Sequence, residues 1–127
     1  MNHSFNVEIA KKYGIEESIL IENIAFWIKK NKANNKNFYD GYFWIYNSAA
    51  AFQEIFPYIN QTKIFRCLKK LEEKKVIKSG NYNKISYDRT KWFTIIDSDI
   101  LKMYELHFSN CKMDIDKMKN GNIQNEI

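Results

Sequence analysis

The residues best suited to chemistry are cationic, amide and hydroxyl side chains gathered in one stretch. They are Gln61, Thr62, Lys63, Arg66, Lys69 and Lys70, with Lys84, Arg89 and Lys91 further along. Arginine can place two parallel hydrogen bonds on guanine O6 and N7, and glutamine can pair with adenine. Lysine offers a point charge to phosphate, which sets affinity and register without reading sequence. Gln61, Thr62, Lys63 and Arg66 would approach bases, and Lys69, Lys70, Lys84, Arg89 and Lys91 would hold backbone.

Catalytic patterns are missing by comparison. His3 and His107 stand in unrelated settings, and no pair has ligand spacing for a metal. A rolling-circle nickase would need a histidine cluster, and no Gly-rich phosphate loop of the Walker type is present. Acidic residues are single apart from Glu16-Glu17 and Glu72-Glu73. The expectation is a non-enzymatic protein with no cofactor and no metal. Cys67 and Cys111 are too few for a disulfide framework and read as free thiols of a reducing compartment. With no secretory pattern at Met1-Asn-His-Ser-Phe5 and no apolar run of membrane-spanning length, the expected location is the cytoplasm.

Charge distribution agrees with a polyanionic partner. The 127 residues carry a net charge of +5, and aromatic residues make up 16% of them. Eighteen of the 20 basic residues are lysine, as an AT-rich coding bias would produce, so the total says little. Position says more. Between Asn60 and Thr94, ten basic residues face three acidic ones, a local +7, while the rest of the chain sums to −2. Both arginines fall in that segment.

The elements that must position these side chains can be read from periodicity. Ser48 to Phe56 predicts a helix, Pro57 to Asn60 a break, and Gln61 to Lys75 a second helix. In the second helix Ile64, Cys67, Leu68 and Leu71 share one face, while Thr62, Arg66, Lys69 and Glu73 lie opposite. A solvated Lys/Glu face is the ordinary meaning of such charges. The turn before it and the ribbon after it favour a recognition helix. Val76 to Ser79 and Trp92 to Ile96 predict the ribbon, a twisted hairpin with its tip near Asn83 to Ser86. Asp88 reads as a cap for turn amides or a partner of Arg89.

Upstream, Asn6 to Lys12 predicts a short helix with Val7, Ala10 and Tyr13 inward, stopped by Gly14. Ile15 to Asn31 predicts a longer helix, apolar around most of its circumference, with Phe26 and Trp27 in the core. That girth fits either a central core helix or a surface shared with a second copy. Asn31 to Gly41 reads as a loop and Tyr42 to Tyr46 as a strand. After Asp97 or Ser98 a last helix carries Ile100, Met103, Tyr104 and His107, and a polar tail follows from about Ser109. The expected fold is α+β, mainly α: a winged helix-turn-helix over 42–97. A helical extension over 1–41 precedes it, and a C-terminal helix and tail over 98–127 follow.

Tyr42-Phe-Trp-Ile-Tyr-Asn-Ser48, Phe56-Pro-Tyr-Ile59, Lys69-Lys-Leu-Glu-Glu73, Tyr82-Asn83 and Asp88-Arg-Thr-Lys-Trp92 together resemble a known family. It is the N-terminal domain of phage and plasmid replication initiators, the replisome organisers related to DnaD-type primosomal proteins. The resemblance covers roughly residues 15 to 97. It implies a winged-helix domain that binds double-stranded origin DNA and self-associates, here through the 15–31 helix. In the family a polar linker leads to a C-terminal domain that engages a replication helicase or its loader. Asn110 to Glu126 looks like the start of that linker, so helicase engagement would belong to a region beyond these residues. Two other readings share the same elements: a winged-helix transcriptional regulator, and a winged-helix protein–protein module.

Overall fold

The computed structural model describes residues 2–106. Asn6 starts the first helix, α1 (Val7–Tyr13), its side-chain oxygen accepting from the Ile9 amide at 3.1 Å. Ile9 and Tyr13 are the buried pair of this helix, and Val7 faces out. That corrects the expected Val7/Ala10 face. Gly14 ends it with φ of +120°, a conformation only glycine adopts freely, and α2 (Ile15–Ala33) starts at once. A Cβ at Gly14 would also collide with the Glu17 carboxylate.

Leu20, Ile21, Ile24, Ala25 and Ile28 form the buried stripe of α2. Phe26 and Trp27, expected in the core, are 59% and 38% exposed. Phe26 projects almost opposite Ile24 at 100° per residue, so the helix that buries one cannot bury the other against the same layer. The two outer rings meet edge to face at 5.4 Å, and the Lys30 ammonium lies 5.1 Å from the Trp27 ring.

The segment expected as a loop contains the end of α2 and a strand. Asn35 at φ 53° closes α2, its amide bonding Lys32 and the Lys36 amide bonding Asn31. Strands β1 (Phe38–Tyr39) and β2 (Tyr42–Phe43) then pair in register Phe38↔Phe43 and Tyr39↔Tyr42. Asp40 and Gly41 join them, both with positive φ (53° and 85°), the geometry of a type I′ hairpin turn. The stretch Tyr42 to Tyr46 is therefore two strands. At Trp44 the chain changes partner, and β3 (Ile45–Tyr46) joins a second sheet. Trp44 is fully buried with its polar groups matched. Its amide donates to Asn37 (2.9 Å) and its indole N–H to the Tyr39 carbonyl (2.8 Å), while its carbonyl accepts from Asn31 (2.8 Å).

Ser48 caps α3 (Ala49–Ile55), and Asn60 caps α4 (Gln61–Glu73) by accepting from the Lys63 amide at 2.8 Å. Helix α4 ends at Lys75, φ 63°, with Lys75 bonding Glu72 and Val76 bonding Leu71. Strands β4 (Ile77–Gly80) and β5 (Trp92–Ile95) follow, giving a three-stranded antiparallel sheet in the order β3-β5-β4. The Trp92↔Gly80 pair is the last of the β4–β5 ladder, so residues 81–91 form a long loop and the strands stop well short of the expected tip. Asp97 caps α5 (Ser98–Met103), which closes with Glu105 at φ 58°. The Tyr104 hydroxyl then reaches Glu22 of α2 at 2.5 Å.

The described residues are thus α+β, about half of them helical, with two small antiparallel sheets. One apolar core joins Ile9 of α1 and the α2 stripe to Phe52, Phe56, Leu71, Phe93 and Ile95, and extends to Leu106. Residues of the N-terminal, central and C-terminal segments all contribute to it. Among the described residues no helix is long and apolar enough to cross a membrane. His107, Cys111 and the polar tail lie outside the described residues.

Candidate nucleic-acid interface

Helix α4 owes its orientation to four side chains. Ile64, Cys67, Leu68 and Leu71 are buried, which turns Gln61, Thr62, Lys63, Arg66 and Lys69 toward solvent. The Asn60 cap satisfies a first-turn amide with a neutral oxygen, and no acidic residue occupies the first turn. The N-terminal half of the helix therefore presents an amide, a hydroxyl and two cationic side chains, Lys63 and Arg66, with Lys69 a turn further on and no acidic residue of the helix before Glu72.

Lys69 shares a groove with the far end of the β4–β5 loop. The groove has a volume of about 450 Å³ and is lined by Phe65, Lys69 and Glu72 of α4, Arg89 and Lys91 of the loop, and Ser48 at the head of α3. Three of the nine sequence candidates, Lys69, Arg89 and Lys91, thus meet in one place. Glu72 is the acidic member, and its carboxylate accepts from the Ser79 hydroxyl at 2.5 Å. Lys84 stands apart, nearer the loop tip.

Asp88 does not hold Arg89. Its Oδ1 accepts from the Thr90 amide at 3.0 Å, and that bond holds its carboxyl below the usual range. Arg89 is exposed and enters no ion pair among the described residues.

Lys70, expected at the phosphate surface, keeps a side chain that is 44% exposed but is already engaged within the chain. Its ammonium donates to the Tyr13 carbonyl at 2.7 Å and to Glu17 Oε2 at 3.3 Å, tying α4 to the α1–α2 corner. Glu17 is buried, and Lys70 is the cation beside it. Cys67 lies against the same carboxylate. Burial first, and then Glu17, push its thiol up to about 12, so it is inert at neutral pH.

Lys63 is also paired, more loosely. Its ammonium is 2.9 Å from Glu16 Oε2, with both side chains partly exposed. The hydrogen bond to Lys63 lowers the Glu16 pKa and raises that of Lys63. Such a pair at the surface is worth little in stability and opens readily to a competing anion.

Phe65, half exposed at 52% in the groove wall, was not among the sequence candidates. It follows directly after Ile64, on the flank where periodicity leaves a side chain at the boundary. Glu16 and Glu17, visible in the sequence as an adjacent acidic pair, were not among the candidates either, since such a pair at a helix start ordinarily serves the helix dipole. No group of His, Cys, Asp and Glu among the described residues could hold a metal ion. Comparison with protein-family models, curated proteins and solved structures finds no match for this chain.

Proposed function

We propose that this chain is a double-stranded DNA-binding domain of a phage-type replication initiator, built as a winged helix-turn-helix. The reading is supported by the order α2, β3, α3, α4, β4, β5 with β5 central in the sheet, which places two short helices before a ribbon. The observation that carries it is the convergence of the exposed α4 cation Lys69 with Arg89 and Lys91 across one groove. In this reading α4 enters the major groove through Gln61, Thr62, Lys63 and Arg66. Lys69, Arg89, Lys91 and Lys84 hold phosphates and make affinity fall with salt.

The test is fluorescence anisotropy of random and candidate origin duplexes across a salt series. Affinity should fall steeply from low to physiological salt. Arg66→Ala should cost about 1–3 kcal/mol on a preferred site and less on random duplex, relaxing specificity at one position. Absence of binding at low salt would end the DNA reading, and equal losses on both duplexes would end the base-reading role of Arg66.

A second reading rests on the outward Phe26 and Trp27 of α2, with a neighbouring groove lined by Trp27, Ile45, Tyr46 and Ile55. Exposed aromatic residues of this kind suit self-association, as the family resemblance also implies. Sedimentation of the protein and of Phe26→Glu over a concentration range tests it. A monomer at every concentration would remove it.

A further inference from the structure

The β4–β5 loop combines a braced base with an apolar tip. At the base, Tyr82 stacks on Tyr39 at 4.6 Å with only 6° between the rings, and it packs against Trp44 (4.9 Å) and Trp92 (5.8 Å). Its hydroxyl bonds Asp40 in the β1–β2 turn. The small hairpin therefore acts as a bracket for the loop. Asn83 fixes the next level: its Oδ1 accepts from the Trp92 indole at 2.8 Å. Its amide nitrogen lies 3.1 Å from the Asp88 carbonyl and 2.8 Å from that of Thr90, across the loop. A turn closed by the Asp88 amide on the Ile85 carbonyl at 3.0 Å completes it.

What this scaffold holds outward is unusual. Ile85 is 50% exposed and Tyr87 is 80% exposed, two apolar bodies at the tip of an otherwise polar loop. Lys84 precedes them, while Arg89 and Lys91 follow. Asp88, the one acidic side chain of 81–91, is turned onto the Thr90 amide. Cations flanking an apolar tip match a polyanion whose interior is apolar and flat: stacked base pairs between two phosphate strands. A loose polar loop would do for phosphate contact alone.

We propose that Ile85 and Tyr87 are a wedge that enters a base-pair step of bound duplex DNA from the minor groove. The step is unstacked, while Lys84 and Arg89 sit on the flanking phosphates. The inference rests on the DNA-binding reading above and adds a deformation to it. Pyrimidine–purine steps such as TA are the most easily unstacked, so the wedge favours A·T-rich DNA without reading a base edge.

The experiment uses short duplexes carrying the fluorescent adenine analogue aminopurine within TA steps. Binding is followed by anisotropy and unstacking by aminopurine emission, at low salt. The unaltered protein should bind and raise the emission. The double variant Ile85→Ser/Tyr87→Ser changes only exposed side chains. It should still bind, within about tenfold of the original affinity, and leave the emission at the level of free duplex. Binding by the original protein without any rise in emission overturns the wedge and leaves the DNA reading standing. An equal rise with the double variant also overturns it, since the unstacking then does not come from the loop tip. No duplex binding at all overturns both readings.

Discussion

The Lys63 ammonium of α4 sits 2.9 Å from the Glu16 carboxylate of α2, so one cation of the proposed DNA-facing turn is already neutralised within the chain. A phosphate bound there must displace Glu16, which sets a threshold on non-specific binding. Glu16→Gln should therefore raise affinity for random duplex and steepen the dependence of log K on log salt by up to about one. Anisotropy titrations at several salt concentrations check this. An unchanged slope would mean that Lys63 does not meet the backbone.

Lys70 and Lys69 are neighbours in sequence with opposite assignments. Lys70→Met removes the bonds to Tyr13 and Glu17 and leaves a buried carboxylate without its cation. A loss of about 1–2 kcal/mol in urea unfolding is expected, with no change in the salt slope of duplex binding. Lys69→Met should do the reverse: unchanged unfolding and a slope reduced by about one. Interchanged results would return Lys70 to the phosphate surface.

Lys75 and Glu105 end their helices at positive φ, 63° and 58°, where an L side chain crowds its own backbone. Lys75→Gly and Glu105→Gly should each stabilise the fold by about 0.5–1 kcal/mol, against the usual direction of glycine substitutions. Thermal unfolding of the single variants decides it. A lower melting temperature would show that side-chain contacts there outweigh the backbone strain.

Three tyrosines carry raised pKa values, Tyr58 through burial alone. Burial first, and then the bond to Asp40, push Tyr82 up to about 12. Burial and the bond to Glu22 push Tyr104 higher still. An unfolded tyrosine ionises near pH 10. Because the folded values lie above the unfolded one, these groups stabilise the fold fully below about pH 10 and progressively less as pH rises beyond it. Unfolding at stepped alkaline pH should show stability falling above about pH 10, less so for Tyr104→Phe. Ultraviolet titration that finds every tyrosine ionising near pH 10 before unfolding would contradict it.

How far the sequence could be read depended on how one-sided each element is. Helix α4 has a single apolar face, and Ile64, Cys67, Leu68 and Leu71 are the residues it buries. The capping oxygens of Ser48 and Asp97 act within three residues, and the sequence placed both helix starts at or beside them, whereas Asn60 read only as the end of a break. Helix α2 is apolar nearly all round, so periodicity could not say which sector meets the sheet, and Phe26 and Trp27 were placed inside. The Asp40-Gly41 pair is a strong hairpin signal, hidden in a stretch whose asparagines and lysines read as loop.

By itself the sequence determined what local physics fixes: helix starts, the amphipathic face of α4, the concentration of positive charge between Asn60 and Thr94, and the α+β class. Only the tertiary structure decided the partners of that charge. A helix projection gives Lys70 a direction, but the Tyr13 carbonyl reaches it because Gly14 turns the chain between α1 and α2. Likewise the loop tip stands outward because Tyr82 stacks on Tyr39, two residues far apart in the chain. Periodicity reports the direction of a side chain within its own element, whereas its partner is set by how distant elements pack.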